Sequence, residues 1–144
     1  MFSIIIPTLN NLKYLQLCIK SIKENSKFSH EIIPHVNIGN DGTIQYLKDQ
    51  NIIFTHTKYN AGICEGMNLA AEKSSSNYLL YSHDDFYFCP EWDLILHKEV
   101  ELIKHKNFYL SGTMMHNGQI NFNCGETIEN FNKKKFLKEY KKIN

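Results

Sequence analysis

The sequence lacks several features that would assign it to a class at once. No apolar stretch approaches the roughly 20 residues that a membrane-spanning helix needs. The chain opens on a strand-like run instead of the basic and then apolar segment of a secretory signal. The motifs Gly-x-Ser-x-Gly, Gly-x-x-x-x-Gly-Lys and Gly-x-Gly-x-x-Gly are also missing. Serine hydrolases, P-loop proteins and Rossmann dehydrogenases therefore lack their first requirement.

Neither charge nor cysteine spacing indicates a special environment. Sixteen basic and fifteen acidic residues leave a net charge of +1, which recommends neither nucleic acid nor an anionic membrane as a general partner. The four cysteines form no Cys-x-x-Cys pair, so we expect buried thiols in a reducing compartment, the cytoplasm. With 144 residues, 42% of them hydrophobic, the composition is that of one globular domain.

Hydrophobic periodicity alternates along the chain between strand and helix. Continuous or alternating apolar runs predict four strands, at "FSIIIP", "EIIPHVNI", "NIIFTH" and "NYLLYS". Helical spacing predicts helices from Leu12 to about Asn25, in "IQYLKD", in "AGICEGMNLAAEKS" and in "EWDLILHKEVELIKH". The alternation predicts one α/β domain with a mostly parallel sheet flanked by helices.

Local signals refine this outline. Asn10 or Asn11 is available to cap the first long helix, and Pro34 predicts an edge or irregular position for the second strand. Asn117-Gly118 predicts a hairpin turn between two further strands. The lysine-rich "ENFNKKKFLKEYKKIN" predicts a basic helical tail, either a solvated face or a contact with anionic lipid.

Two adjacent aspartates, Asp84 and Asp85, follow the fourth predicted strand. In an open α/β sheet, ligands bind beyond the carboxyl ends of the strands. Neighbouring carboxylates repel each other unless a hard divalent cation, such as Mg²⁺ or Mn²⁺, lies between them and a polyphosphate. The alternative is a solvated turn in which both aspartates act as caps.

Four motifs in order carry a resemblance to a known family. "FSIIIPTLNNLKYLQLCIKSI", "NDGT", "NAGICEGMNLAAEKSSSNYLLYSHDD" and "CPEWD" together resemble the nucleotide-binding half of family 2 glycosyltransferases, over residues 2 to about 100. The resemblance implies a Rossmann-like GT-A fold and metal-dependent, inverting transfer from a nucleotide-diphosphate sugar, a UDP-sugar above all, to a sugar-containing acceptor. It implies a divalent cation, Mn²⁺ or Mg²⁺, as cofactor.

The resemblance also assigns roles to residues. It implies that Asp85 holds the metal and that Asp84 contacts the ribose or the metal's water shell. The implied nucleotide contacts are Pro7, Thr8, Asn10 and Asn68. Asn37 and Ile38 stand where the family has an aspartate pair that reads the base, so Asn37 is expected to read a pyrimidine with one charge-assisted bond fewer. Asp41 is expected to be a helix cap.

The length of the chain departs from the family pattern. We expect residues 1–100 to form the nucleotide-sugar and metal half, and residues 101–144 to supply a short acceptor-side hairpin and the basic tail, with most of the acceptor half missing. Glu126 is the internal candidate for the catalytic base, whereas Glu91 and Asp93 are expected to serve a helix N-terminus.

Two alternatives stay open at this point. The chain could be a non-catalytic nucleotide-sugar-binding module completed by a partner chain or a second copy, or a nucleotidyltransferase of similar architecture. The latter should carry a glycine-rich basic loop after its first strand, and "PTLNNLKYL" has no glycine. We expect no nucleic-acid partner, and a location in the cytoplasm or at the cytosolic face of a membrane.

Overall fold

A computed structural model describes residues 2–105, 107–112 and 122–142 of the chain. It divides into a first unit, Met1–Leu94, and a second unit, Ile95–Asn144. The first unit alternates strands and helices: β1 (Ser3–Leu9), α1 (Leu12–Asn25), β2 (Glu31–Asn37), α2 (Thr43–Asp49), β3 (Thr55–Thr57), α3 (Gly62–Ala71) and β4 (Leu79–Tyr81). Helix α4 (Trp92–Leu102) begins in this unit, and the second unit also contains α5 (Lys133–Glu139).

The four strands form one parallel sheet in the order β3-β2-β1-β4. Strand β1 lies between two neighbours and is buried on both faces, which explains its unbroken run of isoleucines. Helix α1 turns Leu15, Cys18, Ile19 and Ile22 towards the interior. Each large aliphatic side chain buried in this way contributes roughly 1.5–3 kcal/mol. The predicted α/β fold with a mostly parallel sheet is confirmed.

Strand β2 is not an edge strand of the sheet, so an edge assignment is wrong for the strand as a whole, whereas Pro34 itself has a paired neighbour on one side only. Strand β2 pairs with β1 on one side and with β3 on the other, and Pro34 lies opposite Ile6. Strand β3 pairs only with the last three residues of β2, from His35 to Asn37. At Pro34, β2 therefore has β1 as its single described neighbour, and the missing amide donor is tolerated there.

Several predicted elements are shorter than their apolar patterns. Strand β3 covers only Thr55–Thr57, and Ile53, which the pattern assigned to the strand, is exposed. Helix α3 packs Met67, Ala70 and Ala71 against the sheet, but Ile63 at its first turn is half exposed. The tail is helical as predicted, whereas the Asn117-Gly118 hairpin lies outside the described residues.

A close approach between α3 and β2 holds the centre of the first unit together. A Cβ atom on Gly66 would lie 2.6 Å from Cδ2 of His35, so only glycine allows this contact. The His35 ring is buried and hydrogen-bonds through Nδ1 and Nε2 to the hydroxyls of Thr55 and Thr57, at 2.8 and 3.3 Å. It thereby links β2 to the short edge strand β3.

Among the described residues, no helix combines the length and the apolar character that crossing a bilayer requires.

Candidate functional site

The acidic pair lies at the carboxyl end of the sheet, beside the end of β1. Strands β1 and β4 pair in parallel with Ile5 opposite Tyr81, so continuing the register by three residues brings Thr8 opposite Asp84. The Thr8 hydroxyl donates to Oδ2 of Asp84 at 2.6 Å, and the side chain of Asn11 also hydrogen-bonds this carboxylate. One side chain near the end of β1 and one in the β1–α1 connection therefore fix the orientation of Asp84.

The two carboxylates have different environments. Asp84 is half-buried, and burial raises its pKa above the ordinary value; the hydrogen bonds from Thr8 and Asn11 oppose that rise, and the charge of Asp85 adds to it. Asp85 is exposed. The site thus joins one fixed carboxylate, partly removed from water, to one that is open to solvent and free to meet a ligand.

The main chain just before the acidic pair is fixed by hydrogen bonds from two buried side chains. The carbonyl oxygen of His83 accepts from the buried Cys18 thiol at 3.6 Å and from the Ser82 hydroxyl at 3.0 Å. Burial raises the pKa of Cys18 to about 12, and the charges of Asp84 and Asp85 contribute to the rise. Cys18 is therefore a neutral thiol donor beneath the site and not a nucleophile.

The loop that follows the pair is tied along the last turns of α1. Ser21 Oγ accepts from the amide of Phe88 at 2.9 Å, and Asn25 Nδ2 donates to the carbonyl of Phe88 at 2.7 Å. The carbonyl of Asn25 accepts from the amide of Glu91, and Ser26 Oγ accepts from the indole of Trp92. A polar edge of one helix therefore fixes the loop after the acidic pair.

Asn37 is buried, and its side chain is used inside the protein. Its Oδ1 accepts from the amide of Ala61 at 2.7 Å, and its Nδ2 donates to the carbonyl of Thr8 at 3.3 Å. It therefore ties the end of β2 to the end of β1 and to the segment before α3.

The other expected nucleotide contacts are spread over the same end of the first unit. Asn10 is exposed, adopts a φ of 47° and accepts from the amide of Asn40 at 2.9 Å. Pro7 is half-buried in β1, and Asn68 is exposed on α3. Within the described part of the chain, no hydrogen bond joins the Asn68 side chain to the acidic pair.

Asp41 caps two helices at once. Its carboxylate accepts from the amide of Leu12 at 2.8 Å and from the hydroxyl and amide of Thr43 at 2.7 and 3.2 Å. Burial would raise the pKa of Asp41, but these hydrogen bonds outweigh it and lower the pKa. The capping role of Asp41 is confirmed. Asn11 occupies the N-cap position of α1, as predicted, but its side chain makes no capping hydrogen bond, and Asp41 supplies that acceptor instead.

Asp93 is a structural residue, as its place at a helix N-terminus predicts. The carboxylate is fully buried and accepts from the amides of Lys27 and Phe28 and from Nε2 of His30 at 2.9 Å. The burial of Asp93 would raise its pKa, but these donors lower it. Glu91 is exposed and pairs with Lys27 at 3.1 Å. Neither carboxylate is poised to take a proton from an acceptor.

Glu126 lies in the second unit, where its amide donates to Oδ1 of Asn130 at 2.8 Å. Its carboxylate is exposed.

The donor set favours a hard cation over a histidine or thiolate site. Among the described residues, no group of three or more His, Cys, Asp or Glu side chains is arranged to hold a metal ion. The His83 ring lies between Tyr81 and Phe86 and is tilted against both, and its Nε2 hydrogen-bonds the Tyr81 hydroxyl at 3.0 Å. Asp84 and Asp85 together offer only carboxylate oxygens, which suits a cation whose other ligands come from phosphate and water.

Sequence reasoning missed three residues that support the acidic pair: Asn11, Cys18 and Ser82. A usable signal existed for Asn11, because it lies in the short connection between β1 and α1, at the carboxyl end of the sheet. Cys18 and Ser82 gave no such signal, since a buried thiol and a buried hydroxyl read as core.

Comparison with solved structures finds proteins with this fold, one of them a mannosyltransferase. Staphylococcus aureus TarS aligns with a TM-score of 0.63 and 20% identity over 70% of this chain and 19% of that one. TarS 1-349 in complex with UDP gives the same score and identity over 70% of this chain and 32% of that one. The mannosyltransferase PcManGT from Pyrobaculum calidifontis, in complex with GDP-Man and Mn²⁺, aligns with a TM-score of 0.55 and 16% identity over 65% and 30%.

The chain thus spans at most about a third of the length of these structural neighbours. No curated protein sequence matches it. The model of the protein family "Glycosyl transferase family 2", however, matches residues 3–143, nearly the whole sequence. The structural neighbours share the fold of this chain, and the match over nearly the whole sequence shows that the chain belongs to glycosyl transferase family 2.

Proposed function

We propose that the first unit binds a nucleotide-diphosphate sugar, a UDP-sugar above all, through a divalent cation held at Asp85 and Asp84. The sugar is then transferred with inversion to a sugar-containing acceptor. The observation that carries the proposal is the fixed Asp84 carboxylate, held by Thr8 and Asn11 beside the exposed Asp85. The complexes of the structural neighbours, TarS with UDP and PcManGT with GDP-Man and Mn²⁺, support this ligand class.

A divalent cation fits these residues. Burial and the neighbouring charge of Asp85 both raise the pKa of Asp84, which means that the ionised carboxylate lacks a compensating positive charge. A bound Mn²⁺ or Mg²⁺ would supply that charge, neutralise the diphosphate and so improve it as a leaving group. The role of Thr8 and Asn11 is to keep Asp84 oriented and ionised, which positions the donor before any bond breaks.

We propose that the site discriminates only weakly between pyrimidine bases. Both polar ends of the Asn37 side chain are satisfied by Ala61 and Thr8, so little hydrogen-bonding capacity is left for a pyrimidine edge. Pro7, Thr8 and Asn10, together with Asn68, would contact the nucleotide through backbone and side-chain atoms. We expect UDP and CDP to differ by about tenfold or less, roughly 1.4 kcal/mol.

The acceptor side carries the proton chemistry in this proposal. Inverting transfer needs a base near the acceptor hydroxyl, and Glu126 is the internal candidate because its carboxylate is exposed. Residues 1–100 would form the donor half of a single domain, and residues 101–144 the acceptor side. The four free thiols are compatible with work in the cytoplasm.

Calorimetry with UDP, in the presence and absence of Mn²⁺, tests the central step. Asp85→Asn keeps the size of the side chain but removes the charge, so we expect UDP affinity in Mn²⁺ to fall at least tenfold, and chelation of the metal to have the same effect on the original protein. Asp49→Asn is the matched control, because Asp49 is an exposed carboxylate at the end of α2. Equal UDP affinity with and without metal would contradict the proposal.

The role of Glu126 has a separate test. Glu126→Gln should leave UDP binding unchanged and abolish transfer to a sugar acceptor, since only the base is lost. If binding is intact and transfer is also unchanged, the base lies elsewhere. Activity that rises with protein concentration would instead indicate that a second copy or a partner chain completes the site.

A further inference from the structure

Charge is divided unevenly between the two units. In the first unit, seven lysines against ten acidic residues leave a net charge of −3, while nine lysines against five acidic residues give the second unit +4. Six of these nine lysines lie in residues 133–142, where Glu139 is the single acidic residue. The near-neutral total for the whole chain therefore hides a strongly basic segment.

Helix α5 and the 3-10 turn that follows it, Tyr140–Lys142, arrange this charge on one face. Lys134, Lys138 and Lys141 follow one another at intervals of four and three residues, and all three are exposed. Lys135 and Lys142 are also exposed and flank this row. These five lysines form the cationic face of the second unit.

The opposite side of this segment is apolar and half-buried. Phe136 and Tyr140 stack with their ring centroids 5.8 Å apart and their planes inclined by 15°, and Phe131 lies 5.8 Å from Phe136. Phe136, Leu137 and Tyr140 are half-buried. Packing of this side directs the lysines outward.

Nearby contacts hold two of the five ammonium groups of the cationic face. Lys142 Nζ donates to Glu139 at 2.6 Å, and Lys135 Nζ donates to the carbonyl of Asn123 at 2.6 Å. The hydrogen bond from Lys142, followed by the charges of Lys142, Lys138 and Lys135, lowers the pKa of Glu139. The single acidic residue of the segment thus lies within the field of at least three lysines and offsets only part of it.

We propose that the cationic face docks on the surface of an anionic lipid bilayer. All sixteen basic residues of the chain are lysines, which are compact point charges on flexible stems and lack the planar fork that arginine uses for bidentate phosphate recognition. A row of lysines suits a dense, laterally mobile layer of phosphate headgroups better than one structured anion. Because the half-buried aromatic rings lie on the opposite side and contact one another, attachment is electrostatic and reversible.

Co-sedimentation with vesicles tests this docking on the full chain. We compare phosphatidylcholine vesicles with vesicles containing about 30 mol% phosphatidylglycerol, at physiological and high salt. The expected result is binding to the anionic vesicles alone, with loss at high salt. The triple variant Lys134→Gln, Lys138→Gln and Lys141→Gln should bind about 100-fold more weakly, since each lysine near an anionic surface contributes roughly fivefold.

A second triple variant, Lys20→Gln, Lys48→Gln and Lys73→Gln, removes the same charge from exposed positions of the first unit and should bind vesicles like the original protein. Circular dichroism shows whether both variants fold. If one variant does not fold, the salt dependence of vesicle binding by the original protein still tests the proposal. Equal binding to neutral vesicles, equal loss in both triple variants, or binding to a soluble polyanion but to no vesicle would overturn the proposal.

Discussion

Replacing Thr8 by valine would test how the sheet prepares Asp84 for a cation. The change keeps the branched shape of a buried side chain but removes the hydroxyl that donates to Oδ2 of Asp84 at 2.6 Å. A hydrogen bond to a charged group is worth about 1.5–3 kcal/mol, and Thr8 stabilises the ionised form that a cation needs. Mn²⁺-dependent UDP affinity near neutral pH should therefore fall by about 10-fold to 100-fold.

The pH dependence of binding gives this prediction its sign. Burial already raises the pKa of Asp84, and the Thr8 hydroxyl opposes that rise, so its loss raises the pKa further. Binding weakens as pH falls in the original protein, and in Thr8→Val the same weakening should begin at higher pH. Isothermal titration calorimetry across the acidic range measures both curves.

Thr8→Ser is the matched control, because serine keeps the donor and loses only a methyl group. It should retain the pH profile of the original protein even if its stability drops slightly. Identical profiles for the valine variant and the original protein would refute the idea that Thr8 keeps Asp84 ionised. A parallel loss of affinity in both variants would assign the effect to packing.

The remaining predictions concern the frame around the site. Asp93→Asn should lower the free energy of unfolding by about 3 kcal/mol in urea titrations, because buried amide donors lose their charged acceptor, while the exposed Asp49→Asn should change it by less than about 0.5 kcal/mol. Gly66→Ala should destabilise by about 1–3 kcal/mol in the same assay, since the new methyl group meets His35 at 2.6 Å. Burial lowers the pKa of His35 from its ordinary value of 6.5, so the unfolded chain binds this proton more readily. The contribution of His35 to the free energy of unfolding should then be constant above pH 6.5 and decrease as the pH falls below 6.5. A contribution that stays constant below pH 6.5 would contradict a buried neutral ring.

The order of elements was predictable because helical and strand periodicities alternate cleanly along the first unit. The start of β3 could not be predicted. The apolar run "NIIFTH" suggests six strand residues from Asn51 onward, whereas only the three residues of Thr55–Thr57 pair with β2. Apolar residues indicate a tendency to be buried, but strand pairing depends on a neighbouring strand at the right register. Ile53 has no such place and stays exposed.

The acidic pair was predictable as a candidate site, because the sequence itself shows two aspartates directly after a predicted strand. Its support was not, since the donors to Asp84 come from Thr8 and Asn11, more than 70 positions earlier in the chain. The internal role of Asn37 was equally hidden: an amide at a strand end looks available until its two partners are seen. Long-range hydrogen bonding is a property of the fold and leaves little trace in local sequence.

The ties between the polar edge of α1 and the loop after Asp85 have a consequence for protein engineering. Ser21, Asn25 and Ser26 hold that loop through side-chain and main-chain atoms, so the loop sequence alone does not carry its own shape. A graft of "SHDDFYFCPEW" onto another parallel sheet would arrive without its anchors. The smallest transferable piece is the loop together with the second half of α1, set against a strand that ends in threonine.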